Sequence, residues 1–337
     1  LWRAHEEAFL AQSYTELSRR RRHWLLAVAA LAIVAYLSVG FAVDAPRIRE
    51  AVDALGWGGC GLVLGLSVLN YLIRFQRWQM FLNRLGHKLP SLQHLLCYLS
   101  GFAFTVTPAK AGEAVRSVYL REHGVTYTQS IAALFVERLQ DLLAMTLLAT
   151  LMVIGRPAYR PLIGGALLLI AGLLLAASHR SLPALLERIS RYAKRPRLAA
   201  AITALIKLLS ASSQLLQSKP LLIGTTAGVL SWGGEGLGYF LICQGLHVPV
   251  GLLTAVGIYA LSVLAGTAAV FLPAGIGGME VVMTTLLVSQ GASLRTSIIA
   301  TLLCRVATLW FAVIIGIAAT LLIEFNEHRR RNAAYSQ

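Results

Sequence analysis

Charge is what this sequence has least of. Asp, Glu, Lys and Arg make up 13% of 337 residues, about half the ~25% of an ordinary soluble domain. That leaves too little polar surface to cover a globule of this size, and the soluble class is excluded. Disorder, collagen and coiled coil fail on the same figures. Cysteine is also sparse: Cys60, Cys97, Cys243 and Cys304 all lie in apolar segments without a CxxC, so neither a disulfide framework nor a metal site is expected. No His/Cys/Asp cluster has metal-ligand spacing, and no Ser/His/Asp or phosphate-loop signature occurs. Catalytic residues, metal and cofactor are therefore all read as none.

What fills the space is hydrophobic: 57% of residues, with mean hydropathy +0.67. Apolar runs of 18 or more residues read as membrane spans, near 24–43, 57–76, 127–154, 162–178, 220–243 and 296–323. The segments 91–109 and 250–290 are apolar too, but are interrupted by Pro108 with Gly112, and by Pro273, Gly275 and Gly277. Each reads as a helical hairpin that enters and leaves on one side. The expected fold is an all-α polytopic membrane protein of about six full spans plus two re-entrant hairpins. Its parts are an amphipathic segment 1–22, a membrane half 23–178 with a hairpin near 91–122, interfacial helices 179–219, a second half 220–325 with a hairpin near 250–290, and a basic tail 326–337. The chain begins at Leu1 without a Met, so leading residues are expected before it. The polar stretch ahead of the first run is too long for a cleavable signal.

The formal charge is +15. No nucleic-acid motif accompanies it, so its partner is anionic lipid and not nucleic acid. With the N-terminus inside, 23 of the 30 Lys and Arg fall on the cytoplasmic side. Arg47, Arg49, Arg156, Arg160 and Arg295 fall outside, and Arg138 and Arg305 lie in spans. This bias predicts N-in/C-in topology, and it weakens if 91–109 crosses fully. Segment 74–88 counts here as a cytoplasmic basic stretch.

Residues 124–142, GVTYTQSIAALFVERLQDL, and 291–309, GASLRTSIIATLLCRVATL, share six identities at an offset of 167, Arg138/Arg305 among them. Upstream, TPAKAG at 107–112 matches LPAGIG at 272–277 with a two-residue slip. On the topology above the breaks open to opposite sides, so the repeat is inverted, as in many transporters.

Charges at this depth each cost about 2.5–3.5 kcal/mol or more when unpaired. Glu137, Arg138 and Asp141 lie together in one span, the two acids sharing a face. Either they form a structural ion cluster, or Arg138 and Arg305 bind an anionic headgroup while the acids offset them or carry protons. Arginine suits phosphate because its planar fork donates two parallel bonds. Lys110, Glu113 and Arg116 at the first break are further candidates for binding, against the alternative of solvated charges at a membrane edge. Glu235 stands alone mid-span and Glu280 follows the second break; with Glu137 and Asp141 they are the candidates for charge balance or proton coupling. His94 reads as a polar interface residue.

The stretch TPAKAGEAVRSVYLREHGV…ERLQDLL, followed by FLPAGIGGMEVVMTTLL and a last span with an Arg, resembles the flippase-like family named after the transmembrane region of lysylphosphatidylglycerol synthase. The resemblance implies a lipid translocase of a bacterial cytoplasmic membrane, moving modified phospholipid or isoprenoid-linked headgroups. It carries onto Pro108, Gly112, Glu113, Arg116, Glu137, Arg138 and Asp141, and onto Pro273, Gly275, Gly277 and Glu280. It further implies membrane lipids, and a cytoplasmic lipid-modifying enzyme, as partners. In two-part members of the family a soluble aminoacyltransferase domain follows the membrane region, whereas this sequence stops about a dozen residues past the last span, so aminoacyl transfer is not expected of these residues. Two other readings stand beside translocation: an intramembrane transferase on a lipid-linked substrate, and a membrane scaffold for a cytoplasmic lipid synthase.

Overall fold

The computed structural model describes residues 2–105, 113, 115–121, 123–152, 156–178, 181–191, 196–269 and 276–335. Pro108, Lys110, Gly112, Pro273 and Gly275 lie outside the described residues. Among the described residues every regular element is helical: α1 Trp2–Arg84, α2 Ser91–Ser100 with a 3-10 turn Gly101–Phe104, α3 Arg116–Arg121, α4 Tyr127–Ala149, α5 Arg160–Ser178, α6 Ser181–Arg191, α7 Pro196–Leu215, α8 Ser218–Gly245, α9 Leu252–Ala268, α10 Gly278–Val288, α11 Leu294–Arg305 and α12 Phe311–Tyr335.

α1 is two antiparallel limbs. Gly56 sits at φ +64°, which an α-helix cannot continue through, and the Cys60 sulfur comes within 4.0 Å of the Val52 carbonyl oxygen. Further out, Tyr36 packs on Trp310 with ring centroids 5.1 Å apart, while the Tyr71 hydroxyl donates to the Thr308 carbonyl at 3.0 Å. In a straight helix Tyr36 and Tyr71 would stand about 52 Å apart, not beside neighbouring residues of one helix.

Among the described residues three stretches are long and apolar enough to cross a bilayer: Ala45–Arg84, Pro157–Ser178 and Leu294–Asn326. The protein is a helical membrane protein. α4 and α8 are less apolar, and each buries one face against other helices while Leu147, Leu222 and Leu230 stay exposed. α4 carries its charges on a buried face, and α8 uses small residues for close approach. A Cβ on Gly236 would lie 3.1 Å from Val256, and one on Gly228 2.9 Å from Ala144.

Two helix pairs, α2 with α3 and α9 with α10, pack toward opposite ends of α4. In the first, α2 and α3 meet at their outer ends through His123 and Gln93, 3.4 Å apart, and at the inner end the Thr105 hydroxyl donates to Glu113 at 3.2 Å. This base lies at the start of α4, where His87 meets Gln129 at 3.0 Å. The inward limb, 91–105, is about 22 Å long, short of the ~30 Å hydrocarbon layer. In the second hairpin, α9 and α10, the close approach at the inner end is Gly278 on Ala265 and Ala269. Its outer end lies at the far end of α4: Gly257 abuts Met152, and Arg156 donates to the Ser289 carbonyl.

Turn geometry recurs between the halves. Four helices end with the same pair of bonds, one N–H reaching back three residues and the next reaching back five: at Gly86–His87, Gly124–Val125, His247–Val248 and Gly291–Ala292. The first residue of each pair is left-handed, with φ +93°, +81°, +56° and +93° respectively. These are Schellman ends. Pro90 and Gly251 then precede α2 and α9, and Thr126 and Ser293 cap α4 and α11 through their hydroxyls. Gly86 to His247 and Pro90 to Gly251 are both 161 residues; Gly124 to Gly291 and Thr126 to Ser293 are both 167. The change of six falls within the hairpins.

Candidate functional site

One face of the second limb of α1 carries Ser67, Asn70, Tyr71, Arg74, Arg77 and Trp78, a stripe at helical spacing, and every one of them is buried. Opposite it, α4 presents Glu137 and Asp141. Glu137 is wholly buried and is the hub: Arg116 reaches it at 2.8 Å, Arg74 at 3.2 Å, Arg138 at 3.4 Å and Arg77 at 3.5 Å, and the Tyr98 hydroxyl donates at 2.9 Å. Asp141 takes Arg77 at 2.6 Å and Arg138 at 3.5 Å, with the Trp232 indole N–H donating at 3.1 Å. Aromatic faces complete the cage. The Arg116 guanidinium lies 3.8 Å from the Trp78 ring centroid, and that of Arg74 lies 5.0 Å from Trp232. A buried charge cluster is tolerable only when paired to this degree.

Arg74 and Arg77 were read from sequence as part of a cytoplasmic stretch, and the structure corrects that reading. The helix runs on to Arg84, and the arginines lie on its enclosed face with their aromatic neighbours. The signal available was the stripe itself: polar residues three and four apart from Ser67 onward, interleaved with apolar ones. Arg116, expected among the headgroup ligands, is 1% exposed and belongs to the cage. His94, expected at an interface, is buried and edge-on to Phe75.

Above the cage a cavity of about 250 Å³ opens between the two halves. Arg138 and Arg305 both line it, together with Glu113, Asp141 and Glu235 from the expected set. Arg74, Trp232 and Tyr259 also line it, and sequence reasoning missed all three. Glu235 accepts a short hydrogen bond from the Tyr259 hydroxyl. Glu137 and Glu280 stand behind the wall as partners of wall arginines. Glu280 takes Arg305 Nε at 2.7 Å and caps the Gly277 N–H, also at 2.7 Å. Gly277 holds φ +94° at the start of α10, a conformation that glycine adopts without strain.

The wall is built largely from positions that correspond between the halves. At a spacing of 161 they are Tyr71 and Trp232, Arg74 and Glu235, Phe102 and Val263, Thr105 and Gly266. At 167 they are Arg138 and Arg305, Asp141 and Thr308, Leu142 and Leu309, Met145 and Ala312. Both arginines and both flanking leucines are kept, while Arg74 faces an acid at the matching place. Thus the wall offers three guanidinium groups and three carboxylates, arranged unequally.

Beyond Arg305 the last helix takes a single wide turn, Val306–Trp310, of π type. Its carbonyls do not go wanting: Ser67 donates to Ala307 at 2.9 Å and Tyr71 to Thr308 at 3.0 Å. Such turns are frequent at functional sites. Here the wide turn lies between Arg305 and the rest of the last span.

The family model described as the lysylphosphatidylglycerol synthase TM region matches residues 24–316. The chain belongs to this family. The matched region contains every residue of the cage and of the cavity wall, and it ends at Gly316, where the last helix packs on the first hairpin. No curated protein matches the chain.

Proposed function

We propose that this protein is a lipid translocase that moves an anionic or zwitterionic phospholipid or isoprenoid-linked headgroup across a bacterial cytoplasmic membrane. The observation that carries the reading is the cavity: guanidinium groups at corresponding positions of two halves, where two oppositely opening hairpins meet. The headgroup phosphate binds Arg138 and Arg305, the acyl chains stay in lipid, and Asp141 and Glu235 balance charge or carry protons. The family is lipid-related, in keeping with this. The halves form an inverted repeat of three full spans and one re-entrant hairpin each. The recurrent turns and the opposed hairpins support that arrangement, and inverted repeats with midplane sites are a transporter pattern. Topology is N-in/C-in. Arg74, Arg77 and Arg116 are buried and leave the cytoplasmic count, so 23 becomes 20 against 5 outside, still a strong bias. The chain performs no covalent chemistry, and its partners are membrane lipids and a cytoplasmic lipid-modifying enzyme.

The test is transport in liposomes of phosphatidylcholine carrying a trace of fluorescent phosphatidylglycerol, with dithionite bleaching the outer leaflet. Wild-type protein is expected to bring inner-leaflet probe out for bleaching and leave it chemically unchanged. The folded double variant Arg138→Gln, Arg305→Gln is expected to fall to the protein-free level. Transport by that variant at the wild-type rate overturns the site; a covalently altered probe favours the transferase.

A further inference from the structure

The wide turn after Arg305 is held by hydroxyl groups. In an α-helix the Phe311 N–H would go to the Ala307 carbonyl, four residues back. Here it goes to Val306, five back, and to Thr308, three back, and passes over Ala307. A carbonyl passed over inside a membrane protein needs another donor. Ser67, on the second limb of α1, supplies one from the other half: its hydroxyl donates to Ala307 at 2.9 Å. Tyr71, one helical turn further on, donates to the Thr308 carbonyl at 3.0 Å. The Thr308 hydroxyl itself turns back to the Cys304 carbonyl at 2.8 Å.

The first half is built without this turn. Gln140 and Asp141 correspond to Ala307 and Thr308 at the spacing of 167, and Gly228 and Trp232 correspond to Ser67 and Tyr71 at 161. The same meeting of helices recurs there. A Cβ on Gly228 would lie 3.7 Å from the Gln140 carbonyl oxygen, and Trp232 reaches Asp141. What differs is the donors. Gly228 has no side chain, and the Trp232 indole N–H goes to the Asp141 carboxylate at 3.1 Å, not to backbone. At that place α4 runs on from Tyr127 to Ala149 as an unbroken α-helix. The wide turn is present where the two hydroxyls are, and absent where they are not.

What hangs on the turn is the direction of Arg305. Successive helical residues are about 100° apart, so a change from wide turn to plain α-helix rotates one flank against the other by about one such step. α12 is not free to rotate, because Gly316 lies against the Ala103 backbone, where a Cβ would come within 2.1 Å of the nitrogen. The step falls on α11, which ends in Arg305. That side chain is only 6% exposed. Its Nε donates to Glu280 at 2.7 Å, and its Nη1 faces the Met279 sulfur at 3.2 Å. So little of it shows in the cavity that a rotation of this size takes it off the wall. Resting on the translocase reading, we propose that Ser67 and Tyr71 are positioning residues for headgroup binding: from the first half they hold the wide turn that aims Arg305 of the second half into the cavity. Tyr71 lines the cavity as well, whereas Ser67 does not and acts through the turn alone.

Ser67 therefore gives the cleaner test. Binding of dihexanoyl phosphatidylglycerol to the full chain in maltoside micelles is expected to weaken severalfold in Ser67→Ala and to be largely restored in Ser67→Thr, which keeps the hydroxyl. An equal loss in both variants would make the effect one of packing and overturn the role. Added to Arg305→Gln, Ser67→Ala is expected to cause no further weakening, because the two act through one group. Unchanged binding in Ser67→Ala, or a loss that adds in full to that of Arg305→Gln, overturns the proposal. A second readout needs no lipid ligand. Structures of Ser67→Ala and of Tyr71→Phe in nanodiscs are each expected to show 306–310 as plain α-helix, with Arg305 turned from the cavity wall. A wide turn kept in either variant, with Arg305 in place, removes that residue from the proposal. The two readings fail separately. A straightened turn in the variants, with no lipid movement by wild-type protein, spares the positioning role and sinks translocation; lipid movement by wild-type protein, with the turn kept in both variants, does the reverse.

Discussion

Glu137 is where the most charge converges on one side chain, because four guanidinium groups approach it within 3.5 Å and it has no exposure. Replacing it by Gln leaves those cations short of one counter-ion in a dry site, a change that costs on the order of 3–5 kcal/mol. Glu137→Gln should therefore lower the midpoint of thermal unfolding in detergent well below that of Glu113→Gln, since Glu113 meets its arginine at a more open place. Equal midpoints would mean that the cage is not the structural anchor. His247 holds φ +56° where three corresponding turns use glycine. A left-handed non-glycine residue stores about 1 kcal/mol or somewhat more, so His247→Gly is expected to raise the midpoint slightly; a fall would show that the imidazole makes a stabilising contact. The ionisable residues of α4 were legible in sequence because nothing else explains Glu137, Arg138 and Asp141 inside an apolar run. Arg74 and Arg77 were not. Near a span's end, arginines look like anchors until the facing helix that buries them is known.

At the scale of elements, glycines set how closely helices approach. A Cβ on Gly316 would stand 2.1 Å from the Ala103 backbone nitrogen, whereas one on Gly224 would meet the end of the Gln140 side chain at 1.9 Å. Backbone cannot step aside and an amide can. Gly316→Ala is thus expected to destabilise the protein by well over 1 kcal/mol, and Gly224→Ala much less, read by thermal unfolding of the two variants side by side. Comparable losses would place the last helix further from the first hairpin than described. The two interrupted apolar segments were visible from their Pro and Gly residues. The π turn after Arg305 was not, because VATLW carries no breaker. It depends on Ser67 and Tyr71, more than 230 residues away, to take up its carbonyls. The repeat was visible only where its two copies kept a matching spacing. A six-residue difference within the hairpins hid the correspondence of Arg74 with Glu235 and of Tyr98 with Tyr259, and it emerges only once turns are aligned by geometry.

The molecule as a whole holds a cavity of about 250 Å³ among helices whose turns recur along the chain, and in the proposed arrangement the two hairpins open oppositely. If the proposed topology is right, a cysteine at position 88 and one at position 295, both exposed, react with a membrane-impermeant maleimide from opposite sides when the partly exposed native Cys60 is first changed to Ser. Labelling of Lys88→Cys and Arg295→Cys from one side would place both hairpin bases together and remove the inverted arrangement. The central claim is that lipid phosphate occupies the cavity between corresponding arginines. A structure in nanodiscs containing phosphatidylglycerol tests it most directly. The account predicts headgroup density inside the cavity, with a phosphate in hydrogen-bond reach of Arg138 or Arg305. Headgroups confined to the bilayer surface, with none inside the cavity, would contradict it.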